Sequence, residues 1–305
     1  MEYRIYKLEF TTGVHFGTGM LNESAMTFYA DQLFSALYIE ALKQGCAENF
    51  LNMVQAGKLL FSDAFPYIGQ EYFIPKPMLY VEPKEGEQGD SIKKKRLKKM
   101  LFLPVEQLDD FLNGSLEYDS DPIKDMGEFV QQTKGNVRSG EEDTRPFRVG
   151  TYYFYEGNGL YVILAYDDVT GKNLFEALFE ALSYTGIGGE KSSGLGKFVL
   201  RTGKLSEDYK RRLENTTEKN LLLSVALPAQ GEMELALEEA SYMLIKRSGF
   251  IESQTFAPEA QKKKDLYVMG AGAVVRYRFA GDIYDVAPVG KHPVYRYAKP
   301  LFLGV

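Results

Sequence analysis

Two amphipathic helix patterns, each entered from a strand pattern and left into another, most narrow what this chain can fold into. The first runs from about Tyr29 to Lys43. Leu33, Leu37 and Ala41 share one stripe, Phe34, Tyr38 and Leu42 lie beside it, and Gly45 closes it. The second runs from about Lys172 to Tyr184, striped by Leu174, Phe175, Leu178, Phe179 and Leu182. Ahead of the first, YRIYKLEF (Tyr3 to Phe10) alternates with period two. Short strand patterns follow at Leu59 to Phe65 and Tyr72 to Pro75. Thr151 to Tyr166 reads as two strands around the turn Glu156-Gly157-Asn158-Gly159, and KFVLR (Lys197 to Arg201) comes after the second helix. With the irregular middle set aside, the order is βαββαβ, the ferredoxin-like plan.

The 305 residues leave room for a second unit, since a domain takes ~150. It opens with LLLSVALP (Leu221 to Pro228) and continues with a helix pattern from Glu232 to Tyr242. Strand-like runs follow at Leu266 to Met269, Ala273 to Phe279, Val294 to Tyr297 and Leu301 to Leu303. The expected class is α+β: two tandem ferredoxin-like (RRM-like) domains, residues 1–205 and 220–305, joined by the charged stretch Ser206 to Lys219. The first domain carries an insertion at about 83–148. It contains the basic run Lys93 to Lys99 and a soft stretch, Tyr118 to Arg148, with few aliphatics, which reads as a surface excursion.

One cysteine, Cys46, cannot form an internal disulfide, and two histidines, His15 and His292, cannot supply most zinc sites. No stretch approaches the ~18 apolar residues of a membrane span, and Met1-Glu2-Tyr3-Arg4 lacks a signal-peptide layout. A cytoplasmic chain without cofactor, metal or membrane partner is expected. With 36 basic and 42 acidic residues the net charge is −6, so the average surface does not attract nucleic acid. If RNA is the partner, the basic residues must be gathered into one groove. The 21 tyrosines and 20 phenylalanines indicate sheet-rich packing first and base-stacking surface second.

The strongest local signal is the loop 186–196, with five glycines in eleven residues (Gly186, Gly188, Gly189, Gly194, Gly196) and Lys191, Ser192 and Ser193 between them. Such a backbone can turn N–H groups toward a phosphate. It is neither a P-loop, because Leu195 stands where the lysine is required, nor a dinucleotide fingerprint, because it follows a helix and opens a strand. A flexible helix-to-strand turn is the plain alternative. His15, with Phe16 between Gly13 and Gly17, reads as a structural histidine, a general base or a stacking residue. Asp31 fits the first helical turn, where a carboxylate complements the dipole. Arg138, Arg145 and Arg148 in the excursion are solvated or phosphate-contacting. Arg247 precedes Ser248-Gly249 in a turn that can hold an anion.

Four segments together, HFG (His15 to Gly17), YADQLFSAL (Tyr29 to Leu37), GIGGEKSSGLGKF (Gly186 to Phe198) and HPVYRYAKPLFL (His292 to Leu303), resemble the RAMP proteins of type III CRISPR systems. Within that family they are most similar to the subunit of the type III-A Csm effector complex that caps the 5′ handle of the guide RNA. The resemblance implies a non-catalytic RNA-binding protein with two ferredoxin-like domains, an RNA-holding cleft and a protruding hairpin, the thumb. By resemblance, the loop 186–196 would line the handle, with Lys191, Ser192 and Ser193 adding contacts. His15, Phe16 and Gly17 would sit beside its nucleotides, and Tyr118 to Arg148 would be the thumb, touching target RNA indirectly. The implied protein partners are the large polymerase/cyclase-like subunit and the backbone RAMP subunit. The rival expectation is a guide-processing endoribonuclease of the same superfamily, with His15 as general base and Lys191 near the developing charge.

Overall fold

The computed structural model describes the chain except for residues 82–94, 96, 118–119, 137–144, 254–255, 257–258 and 260. Strand β1 (Glu2–Phe10) leads through a long loop into helix α1 (Ala30–Lys43), then helix α2 (Ala47–Gln55). Strands β2 (Leu59–Phe61), β3 (Phe65–Ile68), β4 (Glu71–Pro75) and β5 (Phe102–Pro104) follow, and a one-turn helix spans Leu108–Leu112. Next come β6 (Gly127–Asn136), β7 (Arg145–Phe154), β8 (Asn158–Tyr166), helix α3 (Val169–Thr185) and β9 (Phe198–Gly203). The main sheet is antiparallel, in the order β5-β4-β3-β8-β1-β9, with β2 also on β8. Its centre is β8. Leu160, Val162 and Leu164 face α1 and α3, while Tyr161, Ile163 and Ala165 face the opposite layer. A strand covered on both sides reads as a continuous apolar run, which is why YVILA shows no alternation.

Both helix patterns fold as expected. Asp168 caps α3 by accepting the Gly171 N–H at 2.7 Å, and Gly186, at φ +86°, ends it. The hairpin expected around Gly157 is different. The two strands that flank this turn join separate sheets: β8 enters the main sheet, whereas β7 pairs along its whole length with β6. The excursion therefore contains a ten-residue ladder, Gly127↔Phe154 through Asn136↔Arg145. Its base belongs to the core, with Met126, Val149 and Thr151 fully buried.

The stretch expected to be a bare linker forms helix α4 (Glu207–Glu214), capped by the Ser206 hydroxyl. It buries Tyr209 and Leu213 against the sheet, with the Tyr209 hydroxyl 3.1 Å from that of Tyr161. Beyond it lie β10 (Asn220–Leu222), a short helix at Met233–Leu237, β11 (Leu244–Arg247), β12 (Leu266–Met269), β13 (Val274–Val275), β14 (Asp282–Asp285), β15 (Tyr295–Ala298) and β16 (Phe302–Gly304). The helix pattern Glu232 to Tyr242 is cut short because Glu238 turns extended and Glu239 takes φ +52°. Here β10 pairs with β13 and β16, β11 with β12, and β14 with β15. Strand β15 docks on α1 and β2: the Tyr297 ring stacks on Phe61 at 4.5 Å and on Phe34 at 5.9 Å. The main core accordingly contains Val225, Val268, Ile283 and Tyr297 beside the first-unit residues.

Candidate functional site

The glycine-rich loop is compactly folded. A side chain at Gly186 would meet the Leu195 carbonyl oxygen at 2.7 Å, and one at Gly196 would meet that of Ile187 at 2.1 Å. Gly188 and Gly189 are equally close to the His15 main chain and ring. Four of the loop's amides serve this packing: Gly186 to Leu182 O, Ile187 to Gly196 O, Gly189 to His15 O and Gly196 to Gly13 O, all at 2.8–2.9 Å. The glycines thus permit close backbone approach, not only a free run of donors. Among the described residues the Gly188 N–H makes no bond, and Gly188 lines the cleft described below. Ser192 and Ser193 are exposed on the outer turn, and Gly194, at φ +87°, has open space around it.

His15 pins three segments together. Its Nδ1–H donates to the Gly150 carbonyl of β7 at 2.7 Å, and its own carbonyl accepts from Gly189. Val14 bridges to Tyr152, and the Gly150 N–H donates to Leu21 O at 2.9 Å. Phe16 is buried against Phe28 and Phe10, while Gly17 is exposed. A further tie, unseen in the sequence, joins Lys134 of β6 to Glu190 at 2.8 Å. The Lys134 ammonium holds the Glu190 carboxyl below its usual range, with Ser193 adding a hydrogen bond.

These elements meet the second half of the chain at a cleft of about 410 Å³, within the ~300–1,000 Å³ range of ligand sites. Gly17, Gly186, Gly188, Gly189 and Lys191 line one side, α1 the floor, and β11, β15 and their flanking loops the other. Asp31, placed by sequence in the first turn of α1, has a larger task here. It is buried and holds Arg247 through two bonds of 2.8 and 3.0 Å and Arg296 at 2.6 Å. The Arg247 guanidinium also lies over the Tyr29 ring, 4.2 Å from its centroid. Next to it, buried Asp63 accepts the Ala30 N–H at 2.7 Å and the Val225 N–H at 3.0 Å, both on Oδ1. Burial pushes its carboxyl up to about 7, against the effect of those two donors.

Among the described residues the cleft lining holds five cations (Lys191, Lys246, Arg247, Lys263, Arg296) and two carboxylates (Asp31, Glu252). A chain with net charge −6 has therefore gathered positive charge in one groove. Lys191 pairs with Glu252 at 3.1 Å and Lys246 with Asp265 at 2.7 Å. Sequence reasoning singled out Lys191 and Arg247 and missed Lys246, Lys263 and Arg296. Arg296 was noted only as the one arginine of the strand entry His292 to Tyr297, without a site role.

Arg148 is exposed on β7, outside the cleft lining, and Arg145 opens that strand. Arg138 lies outside the described residues, as do Lys93, Lys94 and Arg96 of the basic run. Among the described residues no group of three or more His, Cys, Asp or Glu could hold a metal ion, and no helix is long and apolar enough to cross a membrane.

A family model described as the CRISPR Csm4 C-terminal domain matches residues 215–305. The chain is 35% identical over 307 residues to the CRISPR system Cms protein Csm4 of Mycobacterium tuberculosis, covering 100% of this chain and 98% of the relative. Its likeness to the protein of the same description from Streptococcus thermophilus is 36% over 312 residues, covering 99% and 98%. A chain in the crystal structure of a Csm3–Csm4 subcomplex of the type III-A CRISPR–Cas interference complex superposes with a TM-score of 0.67 at 19% identity, covering 99% of each chain. One from a Csm1–Csm4 cassette in complex with cA4 gives 0.63 at 19%, covering 100% of this chain and 98% of that one.

Proposed function

This chain belongs to the Csm4 family of CRISPR proteins, and on that premise we propose that it is a non-catalytic subunit of a type III-A Csm complex, seating the 5′ handle of the guide RNA in its cationic cleft. The observation that carries the reading is the charge reversal: five cations against two carboxylates in the cleft of a chain that is acidic as a whole. Phosphate contacts fix register without reading sequence. The handle would be held by Lys191, the Gly188 N–H and the arginine-rich wall of β11 and β15, with Ser192 and Ser193 at the rim. Tyr295, which lines the same cleft, offers a ring for a handle base, a contact worth ~1–3 kcal/mol. Phe16 is part of the cleft lining, and His15 supports this wall from behind.

The order β9-β1-β8-β2 favours a ferredoxin-like first domain over residues 1–205, and the family match at 215–305 favours a second unit over 220–305. The β6–β7 ladder, about 30 Å long at ~3.4 Å per residue, is the candidate thumb toward target RNA. It is tied to the cleft loops at two levels, through His15 at Gly150 and, nearer its outer end, through Lys134 to Glu190, so thumb and handle would be positioned together. The solved relatives found with Csm1 and Csm3 support the large subunit and the backbone RAMP subunit as neighbours. The endoribonuclease reading gains nothing from His15, which is buried with Nδ1 already engaged, because a general base must reach the 2′-OH.

The test is reconstitution of the complex with and without this subunit, followed by ribonuclease footprinting of the guide. Protection of the 5′ handle that vanishes when the subunit is omitted is expected. A handle equally protected in its absence overturns the reading.

A further inference from the structure

Each cation of the cleft except one has a carboxylate partner. Arg247 and Arg296 share Asp31, Lys191 takes Glu252, and Lys246 takes Asp265. Lys263, on the loop between β11 and β12, makes no side-chain hydrogen bond or ion pair among the described residues, and it is half-buried. It stands within electrostatic reach of Arg296 and Arg247, which repel it, and of Asp31 and Glu252, which attract it. Asp31 is already bonded to both arginines and Glu252 to Lys191, so neither acid that attracts Lys263 is left to pair with it directly. Among the described residues the buried Arg296 Nε finds no acceptor.

Keeping an ammonium half-buried beside two guanidiniums is unfavourable by itself, through lost hydration and through repulsion. Burial, then Arg296, lowers the Lys263 pKa, as expected for a half-buried ammonium that no carboxylate contacts directly. An anion from outside would give Lys263 the direct partner it lacks and offset that repulsion.

Resting on the reading of the cleft as the handle's seat, we propose that Lys263 is the phosphate anchor of that cleft, its ammonium contacting a backbone phosphate of the bound RNA strand. The Gly188 N–H and the Lys191 ammonium line the same cleft from the facing wall, so a strand lying along it runs between an amide donor and an unpaired cation. Lys263 is then a binding residue whose cost in the free chain is recovered when RNA is seated.

The test uses the reconstituted complex, loaded with labelled guide RNA, with wild-type, Lys263→Gln, Lys263→Arg and Lys210→Gln subunits. Lys210 lies on the exposed face of α4, away from the cleft. Lys263→Gln is expected to weaken retention of the handle roughly ten- to hundredfold. It should also lower the slope of log affinity against log salt by about 0.7, the loss of one single-strand phosphate contact. Lys263→Arg keeps most of the slope, and Lys210→Gln matches wild type. In the RNA-free full chain, Lys263→Gln is expected to raise the melting temperature, because it removes a repelled charge; a merely structural lysine would lower it.

If Lys263→Gln leaves affinity and slope unchanged while wild type holds the handle, the anchor is refuted and the handle reading stands. If Lys263→Gln weakens subunit assembly but not RNA retention, an acidic side chain of a partner fills the place and the proposal fails. If the wild-type subunit adds nothing to retention of the handle, the reading of the cleft fails with it.

Discussion

At the scale of single residues, the most informative groups are acids that the sequence could not distinguish from their neighbours. Asp63 follows an ordinary strand and stands in no motif. Its chemistry arises only because α1 and the run after β10 close over it. Desolvation then raises its carboxyl from 3.8 to about 7, so the folded chain binds this proton more tightly than the unfolded chain. The stabilisation is complete below about pH 4, declines as pH rises, and is gone above about pH 7. Both donors bind Oδ1, leaving Oδ2 for the proton, and asparagine can keep that acceptor. Urea midpoints measured across this range should therefore fall with pH in wild type relative to Asp63→Asn. Parallel curves for the two proteins would show that Asp63 does not titrate there.

At the scale of elements, the two amphipathic helices and β1 were legible because their apolar spacing is set by the local repeat itself, and β8 as a continuous apolar run after a glycine turn. The glycine-rich loop was legible as a location but less so as a device. Its glycines were read as freeing amides for phosphate, and most of those amides are spent on Leu182, His15, Gly13 and within the loop. Sequence cannot show which distant backbone will come close. Two glycines separate the roles. Gly196, at φ +80°, leaves no room for a methyl group against Ile187, whereas Gly194, at φ +87°, faces open space. Gly194→Ala is expected to cost about 1–2 kcal/mol from left-handed backbone strain alone. Gly196→Ala is expected to cost clearly more, by displacing the loop from β9. Thermal denaturation of both variants checks this, and equal losses would contradict the close approach seen at Gly196.

At the scale of the whole molecule, the two halves share one core, and the cleft exists only where they meet. Asp31 is the tie: one buried carboxylate from α1 holds two arginines from β11 and β15. The sequence placed Asp31 at a helix start and Arg247 in a turn, some two hundred residues apart, with nothing local to join them. Removing one partner of a buried ionic group leaves uncompensated charge, at a cost of about 3–5 kcal/mol. Asp31→Ala should lose that much in denaturant unfolding, and a loss below about 1 kcal/mol would mean that solvent already screens the group. The joint also explains how an acidic chain presents a cationic groove, since residues scattered from 191 to 296 become neighbours only after the halves dock.

The most direct measurement is zero-length crosslinking of the guide RNA in the assembled complex, with the modified peptides mapped by mass spectrometry. Handle nucleotides joined to the segment from Gly186 to Ser193 and to the β11 and β15 walls are the predicted result. A guide whose handle crosslinks only to the other subunits, leaving this cleft unmodified, would contradict the account.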